Sequence, residues 1–452
     1  MAVQASVHQL PPEILSQIFI HAVHGTTNVI RARAPGESHR IPAFKFVAAC
    51  SYWRSVALAT PELWNSISLV ISNSKYHLPL SCALVQRLLH LSSQSRLFIQ
   101  IQGMQILGPI PGIPPILSIL CQSADRWQFL DLSCSAVGFL HFISALSLDS
   151  LDTFVFTTQL TADFRLPNAR SLRIVTLHSV RSKLFLPWGQ ITDLTVQQGF
   201  IPHTLEHLHK MSNLSKLTFQ PHDWRLRSSH ASYPKPVTSH LTSLTFSLPF
   251  RSEEVVQDFF NSLLLPSLTE LTLNSEQDHI FLTNKNPDHW SRSSLPSLLT
   301  RSSPALKSFT LNKIWIRSRD LIALLHLMPN LTTLSLSEPV YGSSILQVDP
   351  MINNHFLTAL VLSDSESAAL VPNLTSLSLE IHSTESESEY SLGSLLDLIV
   401  SCRALDSLHL KAPSESIDVS DSLCRSFLDL RMNGANVSIE DKDGDVLFGR
   451  RE

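Results

Sequence analysis

The amino-acid sequence predicts an α/β fold: an irregular solenoid in which a curved parallel sheet is covered by outer helices, preceded by a small all-α module. Three observations indicate this architecture. Strand-like segments recur along most of the chain, helix-like stretches lie between them, and two amphipathic helical patterns precede them. The chain has 452 residues, which is too long for one ordinary hydrophobic core and suits the continuous core of a repeat structure.

The composition indicates a folded, soluble protein. Hydrophobic residues make up 44% of the chain and charged residues 16%, which argues against wholesale disorder. A net charge of -4 provides no global basic field for nucleic acid. No secretion signal and no apolar run of membrane-spanning length is apparent, so we expect a cytoplasmic or nuclear protein. The six scattered cysteines are typical of thiols in a reducing compartment.

The N-terminal module begins with residues 10–19, which read LPPEILSQIF. Proline where a helix can start and Glu13 in the first turn predict a helix from about residue 11. Its apolar residues recur at helical spacing and form one stripe, which we expect to be buried. The stripe consists of Ile14, Leu15, Ile18, Phe19 and Ala22.

A second helical pattern follows a polar loop at about residues 24–43. It places Phe46, Cys50, Trp53 and Ala57 at helical spacing, so we expect it to pack against the first helix. Pro61 ends the pattern, and residues 63–69 then alternate as the residues of a strand do.

These two patterns, LPPEILSQIF at 10–19 and VAACSYWRSVA at 47–57, resemble the F-box. Its signature is a Leu-Pro-x-Glu-Ile/Leu-Leu-x-x-Ile-Phe helix followed by a Val-x-x-Cys-x-x-Trp-Arg-x-x-Ala helix. The continuation TPELW at 60–64 is similar to the large F-box family of mushroom-forming fungi. The resemblance covers about residues 8–69 and implies binding to the Skp-type adaptor of a cullin-based ubiquitin ligase. It implies eight adaptor-facing or core positions: Leu10, Pro11, Ile14, Leu15, Ile18, Val47, Cys50 and Trp53.

Six near-identical segments carry the repeat prediction. They read SNLSKLTF (212–219), SHLTSLTF (239–246), PSLTELTL (266–273), PALKSFTL (304–311), PNLTTLSL (329–336) and PNLTSLSL (372–379). Looser apolar triads begin at Trp127, Leu151, Ala169, Ile191, Leu357 and Leu405. The mean spacing of about 25 residues resembles the leucine-rich repeat, although most units lack its usual Asn or Cys ladder.

Helix-like stretches between the segments complete the α/β pattern. They cover 253–265, 319–328 and 392–402, and several are stopped by a proline just before the next strand. We therefore divide the chain into an F-box-like module (1–69), a connecting first repeat region (70–126), a solenoid (127–440) and a C-terminal tail (441–452).

Side chains that alternate with the buried leucines should form the concave face of the sheet. Such a polar face is suited to binding a target protein. The candidate target-binding residues are Lys216, Glu270, Asn274, Asn312, Glu380, His409 and Lys411.

No motif indicates an enzyme. Glycine-rich phosphate loops and the Gly-x-Ser-x-Gly elbow are missing, so we expect no catalytic residue and no cofactor. His203 and His207, four residues apart, lack an evident third ligand and indicate a surface helix rather than a metal site. The sequence thus predicts a substrate-recognition subunit of an SCF-type ubiquitin ligase. The alternative is a non-catalytic scaffold whose F-box-like helices only cap the solenoid.

Overall fold

A computed structural model describes residues 10–32, 39–71, 78–103, 115–133, 137–157, 164–178, 184–199, 201–221, 236–248, 253–275, 279–280, 293–314, 316–341, 351–361, 370–381, 405–411, 432 and 436–440. The chain forms two compact units, residues 1–199 and 200–452. The predicted tail at 441–452 and the predicted helix at 392–402 lie outside the described residues.

The first unit begins with helices and continues with alternating strands and helices. Its helices are α1 (Pro12–Ala22), α2 (Phe44–Ala49), α3 (Ser51–Leu58), α4 (Leu78–Leu91), α5 (Pro115–Cys121) and α6 (Val137–Ser144). Its strands are β1 (Asn28–Ala32), β2 (Ser66–Ile71), β3 (Leu97–Gln102), β4 (Trp127–Ser133), β5 (Thr153–Phe156), β6 (Phe164–Arg165), β7 (Ile174–His178), β8 (Leu184–Phe185) and β9 (Asp193–Gly199). Short 3-10 helices cover Pro61–Leu63, Ala124–Arg126 and Trp188–Gln190.

The second unit repeats this alternation. Its helices are α7 (Ile201–Leu208), α8 (Glu253–Asn261), α9 (Ser294–Ser302), α10 (Ser318–Leu325) and α11 (Asn354–Leu360). Its strands are β10 (Lys216–Pro221), β11 (Val237–Thr238), β12 (Ser243–Leu248), β13 (Leu263–Leu264), β14 (Glu270–Ser275), β15 (His279–Ile280), β16 (Ser308–Asn312), β17 (Thr333–Ser337), β18 (Val340–Tyr341), β19 (Ser376–Glu380), β20 (Ser407–Lys411) and β21 (Asn436–Glu440).

Both units contain a long sheet with the strands in sequence order. The order is β1-β2-β3-β4-β5-β7-β9 in the first unit and β10-β12-β14-β16-β17-β19-β20-β21 in the second. The recorded pairs within these sheets are parallel, for example β12 with β14 and β14 with β16. The remaining short strands form the two-stranded pairs β6-β8, β11-β13 and β15-β18. The predicted α/β fold with parallel strands and interleaved helices is confirmed.

The core of the second unit follows from the register of the repeats. From β10 to β20 each strand pair of the long sheet aligns leucine or phenylalanine with leucine or phenylalanine, as Leu217 with Leu244 and Phe219 with Phe246 show. Helix α8 packs on this apolar face, because the ring of Phe259 stacks 5.0 Å from that of Phe219 and 4.7 Å from that of Phe246. All six near-identical segments therefore form strands, as predicted.

One of the looser repeat predictions is wrong. Leu357, which the sequence predicts to start a strand triad, lies in helix α11. The Asn353 side chain caps this helix by accepting a 3.0 Å hydrogen bond from the amide of Phe356. Phe356, Leu357 and Leu360 are buried on it. The apolar residues at 356, 357 and 360 fit the spacing of a helix as well as that of a strand triad. The cap at Asn353 favours the helix.

The N-terminal helices are present, with two differences from the prediction. The second helical pattern is broken at Cys50, whose backbone is extended and whose sulfur accepts a 3.4 Å hydrogen bond from the amide of Trp53. It therefore forms two helices, α2 and α3. The predicted polar loop at 24–43 contains strand β1, which pairs with β2 in parallel.

The outer edge of β1 is closed by the same segment of chain. Val29 donates a 2.8 Å hydrogen bond to the carbonyl of Arg40 and accepts one of 2.9 Å from its amide. The amide of Arg31 donates to the Nδ1 atom of His39 at 3.3 Å. The edge of this sheet is thus covered by residues 39–40 instead of being left unpaired.

Candidate functional site

Helix α1 presents two apolar rows, and only one of them is buried. Leu15 and Phe19 are each 1% exposed, whereas Ile14 is 51% and Ile18 46% exposed. The prediction that the whole stripe is buried is therefore wrong for Ile14, Ile18 and Ala22, because α2 and α3 cover only one side of α1. We call Pro11, Ile14 and Ile18 the α1 face; all three are exposed and lie at helical spacing.

An aromatic cluster holds α1 in place behind the α1 face. The Phe19 ring stacks on that of Phe46 with a centroid distance of 4.2 Å. The Trp53 ring lies 5.1 Å from Phe19 and 6.3 Å from Phe46. These three rings come from α1, α2 and α3, so they fix the helices relative to one another.

The remaining predicted adaptor positions support the α1 face from behind or beside it. Leu10, Val47, Cys50 and Trp53 are partly buried. Trp53 belongs to the aromatic cluster and Cys50 caps α3, so both have structural roles inside the module. Phe44, at the start of α2, is 45% exposed. Sequence analysis did not predict it as an adaptor position, because the predicted second helical pattern begins at Phe46.

The seven predicted target-binding residues all lie on the polar side of the second unit's sheet. Asn274 and Asn312 are direct register partners, as are Glu380 and Lys411. Lys216 and Glu270 occupy one row, both paired with Ser243 between them. His409 lies in the middle row, opposite Ser378.

Electrostatic and hydrogen-bond contacts tie the C-terminal part of this polar side together. The Lys411 ammonium lies 3.1 Å from a carboxylate oxygen of Glu380. The other oxygen of Glu380 accepts a 2.6 Å hydrogen bond from the hydroxyl of Ser337. His409 Nδ1 and the Ser438 hydroxyl are 2.6 Å apart. Sequence analysis missed Ser337 and Ser438, which only the strand register places beside the predicted residues.

A row of hydroxyl groups runs along the middle of the same polar side. It is formed in strand order by Thr218, Thr245, Thr272, Thr310, Ser335, Ser378 and Ser438, with the imidazole of His409 between the last two. Hydroxyl groups both donate and accept hydrogen bonds. The row therefore offers a periodic set of small polar contacts at the spacing of adjacent strands.

The part of the chain that the structure describes was also compared with the requirements of a metal site and of a reactive thiol. Within the described ranges, no group of three or more His, Cys, Asp or Glu side chains is arranged to hold a metal ion. Cys121 lies in the core of the first unit, where burial raises the pKa of its thiol to about 12. Such a thiol is protonated and inert at neutral pH. Among the helices that the structure describes, none is both long enough and apolar enough to cross a membrane.

Comparison with known proteins includes a distant structural likeness. No protein-family model matches the chain, and no curated protein matches it. The solved structure of a leucine-rich-repeat protein from Leptospira interrogans aligns with 84% of this chain and 91% of its own, at 13% identity and a TM-score of 0.26. That score is too low to carry an argument about shape. The strand order, the parallel registers and the repeated segments of the chain itself show a leucine-rich-repeat-like fold.

Proposed function

We propose that the chain is a substrate-recognition subunit of an SCF-type ubiquitin ligase. The α1 face docks on the Skp-type adaptor, and the polar side of the second unit's sheet binds the target protein. The observation that carries the proposal is the half-exposed pair Ile14 and Ile18, one turn apart on a helix whose sequence resembles the F-box. Neighbouring apolar side chains left open on a well-packed helix are typical of a partner-binding site.

The geometry favours docking by a rigid surface. The aromatic cluster of Phe19, Phe46 and Trp53 holds the backbone of α1, so little conformational freedom is lost when a partner covers the α1 face. The target would then be held near the ubiquitin-charged enzyme, and its modification would be accelerated by proximity. No residue of this chain takes part in bond chemistry in this proposal.

Co-purification of the full-length chain with a Skp-type adaptor tests the proposal. We expect Ile14→Asp and Ile18→Asp each to reduce capture of the adaptor at least about tenfold, because a charge replaces a buried apolar contact. Leu327→Asp is the matched control, since Leu327 is also a partly exposed apolar residue (38%) but lies near α10. A folded wild-type chain that captures no adaptor would contradict the ligase role.

The second candidate function is a scaffold whose N-terminal residues only cap the sheet. The closed edge of β1, where Val29 pairs with Arg40, favours it, because repeat structures need capped ends. Deletion of residues 1–70 removes β1 and nearly all of β2. The ligase hypothesis and the scaffold hypothesis therefore both predict that the first unit becomes less stable. Adaptor capture by the intact chain therefore decides between them.

A further inference from the structure

A cavity of about 460 Å³ opens on the first unit's sheet, beside the end of α1. Its volume lies within the range of small-ligand sites, about 300–1,000 Å³. We call it the aromatic pocket and define it by Ile20, Val23, Glu62, Phe98, Gln100 and Phe129. It does not include the residues of the α1 face, so the two surfaces can be tested separately.

Two phenylalanines on the polar side of the sheet contribute the apolar surface of the pocket. Phe98 on β3 and Phe129 on β4 are direct register partners, with ring centroids 6.5 Å apart. Phe98 is 40% exposed. In the other paired strands of this unit the same row holds Ser66, Thr153, Ile174 and Asp193. Two adjacent rings, one exposed and one partly exposed, in a row whose other members are polar except Ile174 indicate a binding surface.

The polar groups at the pocket favour a cation. Glu62 is exposed and is one of the residues that line the pocket. Gln100 also lines it and donates a 2.8 Å hydrogen bond to the carboxylate of Asp131, which leaves the amide oxygen of Gln100 as an acceptor. The pocket also lies at the C-terminal, electronegative end of α1. Among the residues that line it, His24 alone can carry a positive charge.

We propose that the aromatic pocket binds an arginine side chain of a partner protein, at a surface of the first unit that is separate from the proposed target-binding surface of the second unit. A guanidinium is planar and stacks on an aromatic face while it donates to carboxylate and amide oxygens. Its aliphatic stem suits the apolar wall of Ile20 and Val23. The same chain already holds one such pair, since the Arg165 guanidinium carbon lies 4.4 Å from the centroid of the Phe185 ring.

Saturation-transfer NMR of the full-length chain with N-acetyl-arginine methylamide tests the inference. The neutral isostere N-acetyl-citrulline methylamide is the matched ligand. We expect transfer to the methylene protons of the arginine probe at millimolar concentration and at least about fivefold weaker binding of the citrulline probe, because the charge is lost. Phe98→Ser and Glu62→Gln should each weaken arginine binding by a similar factor.

Two controls make the result specific. Ile174→Ser makes the same kind of change in the same row of the sheet, at a residue that is 39% exposed and lies outside the pocket, and should leave arginine binding unchanged. Circular dichroism should show that each variant is folded. Equal binding of the two probes, no transfer to the arginine probe, or unchanged binding in Phe98→Ser would each overturn the inference.

The adaptor experiment separates this inference from the ligase role. Arginine binding by a chain that captures no adaptor would support the pocket and contradict the ligase proposal. Adaptor capture by a chain that does not bind arginine would support the ligase proposal and contradict the pocket.

Discussion

The hydroxyl of Tyr52 donates a 2.6 Å hydrogen bond to the backbone carbonyl of Leu10. Tyr52 lies on α3, and Leu10 precedes the first turn of α1. The bond therefore ties the start of α1, next to Pro11 and Ile14, to a helix more distant in sequence. Together with the stacking of Phe19 on Phe46, it holds α1 near both of its ends.

Removal of this bond should loosen the start of α1. We expect Tyr52→Phe to lower the free energy of unfolding of the helical module by about 0.5–1.5 kcal/mol, because the ring stays and only the hydroxyl is lost. Hydrogen exchange of the α1 amides measures the effect locally. Ser55→Ala is the control: the Ser55 hydroxyl bonds only within its own helix, to the carbonyl of Tyr52, and its loss should leave α1 unchanged.

Neighbouring residues on α1 should respond very differently to truncation. Phe19→Ala removes a ring that is 1% exposed and should cost about 3–5 kcal/mol. Ile18→Ala changes a side chain that is 46% exposed and should alter stability by no more than about 0.5 kcal/mol. Urea unfolding of both variants compares them. If Ile18→Ala destabilises the chain as strongly as Phe19→Ala, the α1 face is covered within the protein.

The buried carboxylate of Glu338 should stabilise the second unit through its acceptor oxygens. Glu338 is 1% exposed, and its Oε1 atom accepts a 2.9 Å hydrogen bond from the amide of Ile352. Glu338→Ala leaves that amide without its acceptor and should cost about 1–3 kcal/mol. Glu338→Gln keeps an acceptor oxygen and should cost less. The urea midpoint and the exchange rate of the Ile352 amide distinguish the two variants.

The thiol of Cys121 should make the chain less stable at high pH. Burial raises its pKa from 9.0 to about 12, so between these values the unfolded chain loses a proton that the folded chain keeps. The free energy of unfolding should therefore fall as the pH rises from about 9 towards 12. Cys121→Ala should reduce that slope. A slope that is the same in both proteins would contradict this assignment.

Alkylation of native protein by iodoacetamide offers a second measurement on the same thiol. Cys121 should react only when the first unit opens, and urea should accelerate the reaction. Cys50, which is partly exposed, should react faster in the native state. Peptide mass mapping assigns each modified cysteine.

Strands that repeat a strong pattern were predictable from sequence, and strands that depend on distant pairing were not. Leu217 and Phe219 alternate with polar residues, as the matching residues of later repeats do. Because successive side chains of a strand point to opposite faces of the sheet, this alternation predicts that both are buried. Strand β1 reads NVIRA within a polar segment. It forms a strand because β2 pairs with one of its edges and Arg40 with the other. These pairings cannot be predicted from the local sequence pattern.

The candidate sites were predictable only as sets of residues. Periodicity placed Ile14 and Leu15 on one stripe, but the positions of α2 and α3 decide which of the two is exposed. The polar alternation indicated Glu380 and Lys411, and the one-to-one register of β19 and β20 brings their charges together. The pairing of Phe98 with Phe129 could not be predicted from sequence, because it depends on the register between β3 and β4, which are far apart along the chain.

The hydrogen-bonded pair of Val29 and Arg40 also limits how such a chain can grow. Gene duplication, or a designer, can add a strand to the edge of a parallel array only where the edge strand has free amide and carbonyl groups. Ahead of β1 those groups are already occupied by residues 39–40. A new unit therefore could not be added directly ahead of β1, and the helical module would keep its place beside the first strand of a longer array.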